Sequence, residues 1–351
     1  MNKDTARLVE VWKKIESGKK NKFVSIDYDN IERCVIDNFV AGKTILQTPD
    51  WRIEGALARH DWVFAANSIV INALNFAFNI FEKPDTKYRW RKSGFSGSLA
   101  MAERFYHLYG ERIIQAHDIA RLNASHMIRT KYFLDGEEAI SLRDTRTRCL
   151  INIAEVLEEE YGGSPLNLLE DALVWDEERK RSVWYAFHDG KGLVELLIKK
   201  FPIAYGDAWK MADGTETYTL KFNKKAQLVA LLLYGRGKTS YVLPPLVDIN
   251  EVGQLTDYQV PNALHARRIL RYNPVLAAKI DNWQEINAGS REELEIRLAT
   301  TAACVELLDQ INKCPEINFE PSVTLADLDY WLWVKGKQSP FRPHLVRTSA
   351  Y

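Results

Sequence analysis

The chain has 351 residues, with 47 Lys+Arg against 47 Asp+Glu and a formal net charge of zero. It is 46% hydrophobic and holds 10 Trp, 15 Tyr and 14 Phe, so it can bury a large core; that composition excludes intrinsic disorder. The absence of a basic excess also excludes a protein coated for nucleic acid, because each neutralised phosphate needs a cation.

Helical periodicity dominates in chain order. Thr5 to Ser17 places Leu8, Val11, Trp12 and Ile15 on one face, and a short extended piece at Phe23–Ile26 precedes a helix from Asp29 to Val40. Residues 98–109, 112–122 and 137–160 read as helices, with Gly162-Gly163 as the stop of the last. Gly190 to Lys200 ends at Phe201-Pro202. The alternation in Thr215–Phe222 predicts a strand, and Asn223–Tyr234 a helix. Pro261 and Pro274 sit where a first helical turn accepts proline, with Asn273 as N-cap for the second. Ser290 and Glu293 form a capping-box pattern that opens a long helix to about Asn312. Its predicted apolar stripe is Leu294, Leu298, Thr301, Val305 and Leu308, flanked by Cys304 and Ile311. No repeat, low-complexity tract or long linker interrupts the chain, so one domain over 1–351 is expected. Within it, 1–22 form a helix and basic lead-in, and 330–351 form a basic aromatic segment packed on the body. Strand–helix alternation is missing, which excludes a doubly wound sheet.

Several chemical signals have bland alternatives. Gly237-Lys238-Thr239 lacks the glycine of a phosphate-binding loop five positions earlier, where Leu232 stands; it reads as a basic turn. The four cysteines (34, 149, 304 and 314) contain no C-x-x-C pair, and the seven histidines show no ligand spacing, so no metal is expected. The cysteine usage fits reduced thiols in the cytoplasm. The N-terminal segment has seven basic and three acidic residues but no apolar run of signal type, and Ile69–Phe81 is too short and too interrupted by asparagine to span a membrane.

Arg297 falls on the edge of an apolar stripe, where a guanidinium must find an anion. It is either half of a structural pair or an anchor for a ligand phosphate or a catalytic carboxylate. Asp257 and Tyr258 precede the helix that Pro261 begins; the aspartate is either a cap or an anion held to stabilise a developing cation. In ADLDYWLW, Asp327 and Asp329 either serve a helix cap among core tryptophans or read the edge of a stacked base. The last 22 residues contain no acidic side chain but hold Lys335, Lys337, Arg342, His344 and Arg347 among aromatics.

The run LTDYQVPNALHARRILRYNPVLAAKID, then GSREELEIRLATTAACVELL, LDYWLW and the closing PHLVRTSAY resembles the queuosine salvage proteins. Upstream, FNKKAQLVA and INALNFAF are similar to further segments of that family, in the same order. The resemblance implies a mainly α fold similar to helix-hairpin-helix DNA glycosylases, with a small antiparallel strand component. It implies an N-glycosylase that hydrolyses queuosine 5′-phosphate to queuine, with no metal or organic cofactor. The implied partner is a small nucleotide, with no stable nucleic-acid complex and no membrane. Carried over by position, Asp257 is the acidic catalytic residue, and Lys224 the lysine of the FNKKAQ segment. The substrate-binding positions are Tyr258, Asp329, Asn75, Phe76, Trp333, Arg297, His344 and Arg347. Tyr258, Phe76 and Trp333 would sandwich the base, and the basic groups would grip the 5′-phosphate or hold acids in place. The chain departs from the family pattern at Asn79, Leu232 and Gln259. Alternative expectations are a glycosylase for another modified nucleoside and a non-catalytic binder of queuine-like nucleotides.

Overall fold

Capping residues and apolar spacing build a mainly helical protein with short paired strands. The computed structural model describes all residues except 19–21, 91–93, 131–132, 134–139, 318 and 320–321. The chain divides into two compact units, each drawn from separated segments. The first gathers 1–48, 207–224 and 250–347; the second gathers 49–206, 225–249 and 348–351.

In the first unit the helix Arg291–Lys313 is central. Ser290 caps it by accepting the Glu293 N–H, and Glu292 and Glu293 in its first turn suit the positive end of the helix dipole. It is buried on every face from Glu293 to Cys304, rather than along one stripe. Leu307 and Ile311 extend this core, whereas the predicted Val305 and Leu308 are only half-buried. The reason is tertiary: helices Lys3–Ser17, Tyr28–Val35, Gln259–Ala266 and Leu325–Lys337 all pack against it. Its buried polar groups are therefore paired internally. Glu295 accepts from Arg291 Nε and Phe23 N–H, both at 2.7 Å, and the Thr300 and Thr301 hydroxyls donate one turn back.

The helix Lys3–Ser17 buries Leu8, Val11, Trp12 and Ile15 as its spacing predicts. The helix expected over 29–40 instead ends at Val35 and continues as a π-turn, Ile36–Ala41. Strand Val24–Ile26 pairs antiparallel with Leu270–Tyr272. The predicted strand is found at Glu216–Lys221, and its antiparallel partner is Ala208–Asp213, which the sequence pattern did not announce. Leu345–Val346 pairs parallel with Glu285–Ile286. Helices Gln259–Ala266 and Leu325–Lys337 meet at Gly336, where a Cβ would stand 2.1 Å from the Gln259 carbonyl oxygen; no side chain fits there.

The second unit holds the helix Asp61–Ala73, buried through most of its length, with Ser98–Tyr109 and Ala116–Ala124. The last starts four residues later than its periodicity suggests, at a Gln115/Asp118 capping box. The helix expected over 137–160 is Arg143–Glu160, and Glu137, Glu138 and Ala139 lie outside the described residues. It stops at Gly162 and Gly163, whose φ values of +55° and +80° are left-handed. Two short hairpins, Asn79–Ile80 with Lys83–Lys87 and Leu173–Asp176 with Arg181–Trp184, carry the strands of this unit. Arg146 is wholly buried and donates to the carbonyls of Leu74, Phe76 and Ser141. Among the described residues no helix is long and apolar enough to cross a membrane. All four cysteines are free thiols.

Candidate active site

The segment Val252–Asp257 leads from the 3-10 turn Ile249–Glu251 into the helix Gln259–Ala266. Asp257 is buried at that turn, and its Oδ1 accepts the N–H groups of Gln259 at 2.7 Å and Val260 at 3.1 Å. The cap reading is therefore correct as geometry, and it holds a carboxylate at the positive end of a helix. Tyr258 follows it, half-buried, at the N-cap position.

Asp329 lies on the helix Leu325–Lys337 and is buried. Its Oδ1 accepts from the Gln254 side-chain amide and from the Leu255 N–H at 3.2 Å. Burial raises its carboxyl well above the ordinary carboxylate range, and the nearby charge of Asp257 adds to this; Lys224 and the two hydrogen bonds oppose it. Asp327, two residues before it and also buried, is a structural cap: Oδ2 accepts from the Thr324 N–H and hydroxyl, and Oδ1 from those of Thr48.

Lys224 follows the strand Glu216–Lys221 and is buried. Burial pushes its ammonium below the ordinary lysine range, while the carboxylates of Asp257, Asp329 and Asp207 pull it back up. Asp207 opens the same hairpin and accepts the Lys224 backbone N–H at 3.4 Å. The Arg297 guanidinium meets Asp207 through both ends, Nη1 to Oδ1 at 2.9 Å and Nη2 to Oδ2 at 2.6 Å. It also lies 3.8 Å over the Phe222 ring and donates from Nε to Thr256 at 3.3 Å. Burial raises the Asp207 carboxyl, but Arg297 outweighs it and holds the group below its ordinary value.

Five predicted site residues thus share one electrostatic neighbourhood in the first unit: Asp257, Lys224, Asp329, Arg297 and His344. His344 is buried, and burial with the Arg297 charge lowers its imidazole to about 3, so it is neutral rather than the cation expected from the tail. Trp333 is half-buried, stacked on Tyr330 with centroids 6.2 Å apart, and carries the Lys337 ammonium at 4.3 Å from its ring centre. Arg347 is exposed and forks onto Glu285 at 3.2–3.3 Å. Asn75 and Phe76 belong to the second unit: Asn75 donates to Asn72, and the Phe76 ring is flanked by Arg146 at 4.2 Å and Lys225 at 4.6 Å. Asn79, one of the departures, donates to the Pro84 carbonyl inside its hairpin.

Sequence reasoning missed Asp207 and Gln254. Asp207 is 90 positions from Arg297, so no local pattern links them, although an arginine on an apolar face did demand a distant acid. Among the described residues no group of three or more His, Cys, Asp or Glu side chains could hold a metal ion.

The family model described as "Queuosine salvage protein" matches residues 56–348. A Sphaerobacter thermophilus protein named queuosine 5′-phosphate N-glycosylase/hydrolase is 27% identical over 333 residues, covering 93% of each chain. Proteins of the same name from Mus musculus, 23% identical, and Bos taurus, 27% identical, are matched over 90% and 81% of this chain and 89% and 81% of their own. With most of its length inside that family match, the chain belongs to the queuosine salvage protein family.

Proposed function

We propose that this protein hydrolyses the N-glycosidic bond of queuosine 5′-phosphate and releases queuine for salvage into tRNA modification. The observation that carries the reading is the buried Lys224 set among Asp257, Asp329 and Asp207 in a chain of this family. The names of the relatives support the same substrate.

Breaking the bond between C1′ and N9 sends its electron pair away with the base and leaves positive charge on the sugar. An anion near C1′ lowers that barrier, because it is worth more in the transition state than in the ground state. Asp257 takes this role, with two backbone N–H groups on one carboxylate oxygen holding it in place. Water adds its oxygen to C1′ and gives up one proton by way of Asp257, and the departing base takes up one. A 7-deazaguanine has no N7 to protonate, so its departure needs hydrogen bonds elsewhere. Asp329, kept protonated by burial, donates one. Lys224 holds the two acids at a fixed separation, and the Asp207–Arg297 pair positions Lys224 and the Thr256–Asp257 segment. His344, Tyr258, Trp333 and Arg347 are assigned to the nucleotide: the histidine as a neutral N–H donor, the rings as stacking faces, and Arg347 as a charge for the phosphate.

The zero net charge supports a small nucleotide partner rather than a nucleic-acid complex, and the free thiols support a cytoplasmic setting. Incubation with queuosine 5′-phosphate, followed by chromatography, should show queuine accumulating. Tight binding of the nucleotide without release of queuine would end the hydrolase reading.

A further inference from the structure

Gln254 lies three residues before Asp257 and is only 3% exposed. Its amide nitrogen donates to Asp329 Oδ1, and the Leu255 N–H donates to the same oxygen. Two donors converging there make Oδ1 an acceptor, which orients the amide: nitrogen toward Asp329, oxygen away from it. Among the described residues no protein group donates to that oxygen, Gln254 Oε1. A buried acceptor left in this state is destabilising, and in a folded protein it requires an explanation. Both hydrogen bonds to the Asp329 carboxyl end on Oδ1, so Oδ2 is the oxygen left to carry a proton. An acceptor and a donor therefore stand on two side chains that one hydrogen bond joins.

We infer that Gln254 Oε1 accepts a hydrogen bond from the exocyclic 2-amino group of the substrate base, while Asp329 Oδ2 donates to the adjacent ring nitrogen N3. The inference rests on the proposed 7-deazaguanine nucleotide substrate. Such a base has two edges that pair a donor with an acceptor: N1–H beside O6, and the 2-amino group beside N3. Only the second adjoins N9 and the sugar. Asp257, assigned to C1′, is near enough for its charge to act on the Asp329 carboxyl, which sets the Asp329–Gln254 pair on the sugar-side edge. A hydrogen bond at N3 withdraws electron density beside the bond that breaks, and the bond to the 2-amino group fixes the orientation of the base. A base lacking that amine leaves Gln254 Oε1 buried and unpaired, so Gln254 sets specificity for guanine-type bases.

Titration calorimetry with queuine and its 2-deamino counterpart tests this without turnover, and kcat/KM on the two 5′-nucleotides is measured beside it. Wild type should bind the 2-deamino base about 100-fold more weakly. Gln254→Leu should weaken queuine binding by a similar factor and bind both bases equally; Gln254→Met replaces it if thermal melting shows the leucine variant misfolded. Equal binding by wild type, or discrimination that persists in a folded variant, overturns the inference. Discrimination without any release of queuine from the nucleotide removes the hydrolase reading and keeps the role of Gln254. Turnover without discrimination does the reverse.

Discussion

Asp207 and Arg297 meet as a bidentate ion pair, 2.6 and 2.9 Å long, with both side chains buried. Each partner also touches a neighbour of the candidate acids. Asp207 accepts the Lys224 N–H, and Arg297 donates to Thr256, the residue before Asp257. One ion pair thus ties the base of the Ala208–Lys221 hairpin to the segment that carries Asp257. Fork-to-carboxylate geometry tolerates no shorter or point-like cation.

Removing Asp207 takes from the buried Arg297 guanidinium its nearest anion, with Glu293 Oε1 3.6 Å from Nη1, and removing Arg297 leaves the Asp207 carboxylate buried without that cation. Asp207→Asn is expected to cost about 3–5 kcal/mol of unfolding free energy, and Arg297→Lys to fall short of restoring wild-type stability. Urea unfolding at pH 7 measures both. A loss within 0.5 kcal/mol for Asp207→Asn would show that the pair is not what holds this region together.

Asp257→Asn separates charge from capping. The amide oxygen still accepts the Gln259 and Val260 N–H groups, so the melting temperature should stay close to wild type. Turnover of queuosine 5′-phosphate should drop about 100-fold or more, because the anion opposite the developing sugar cation is gone. Normal turnover would reassign the residue acting at C1′.

The basic side of the pH–rate profile should report Asp329. Its carboxyl is raised, so the donor form persists above the ordinary carboxylate range and is lost as pH climbs through the raised value. In Asp329→Asn the amide remains a donor at every pH, and that limb of the kcat profile should flatten. An unchanged limb would assign the titration to Lys224, whose lowered ammonium loses its proton in the same direction.

His344 sets a stability prediction of definite sign. Its folded value is near 3 against 6.5 for the free side chain, so the unfolded chain binds a proton that the native state refuses. The stabilisation is complete above pH 6.5 and is lost as pH falls toward 3. His344→Gln lacks this titration. The difference in unfolding free energy between wild type and variant should narrow by about 1.4 kcal/mol per pH unit across that window. A constant difference from pH 7 to pH 4 would contradict a buried neutral imidazole.

Gly336→Ala pushes a methyl group into the Gln259 backbone, and backbone cannot swing aside as a flexible side chain can. The helices carrying Asp329 and following Asp257 must separate, at a cost of about 1–3 kcal/mol. A lower melting temperature together with a lower kcat is expected, since the two carboxyls move apart. Wild-type values for both would show that this close approach does not govern the site.

The local elements were legible in the sequence because they depend on neighbours in the chain. Asn273 and Ser290 sit at helix starts, the alternation at 216–221 is a strand, and Asp257 stands at a helix N-terminus with Pro261 in its first turn. The family was legible too, through short segments in a fixed order. What only the tertiary structure decided is who meets whom and in which charge state. The sequence required an anion for Arg297 but could not choose Asp207, 90 positions away, nor show that the helix around Arg297 is enclosed on all faces. His344 reads as a cation in a basic tail, yet desolvation makes it neutral; Asp329 reads as an ordinary carboxylate, yet desolvation raises it well above that range. Hydropathy follows residue type, whereas desolvation and charge coupling depend on the space around each group, and that space exists only once distant segments have packed together.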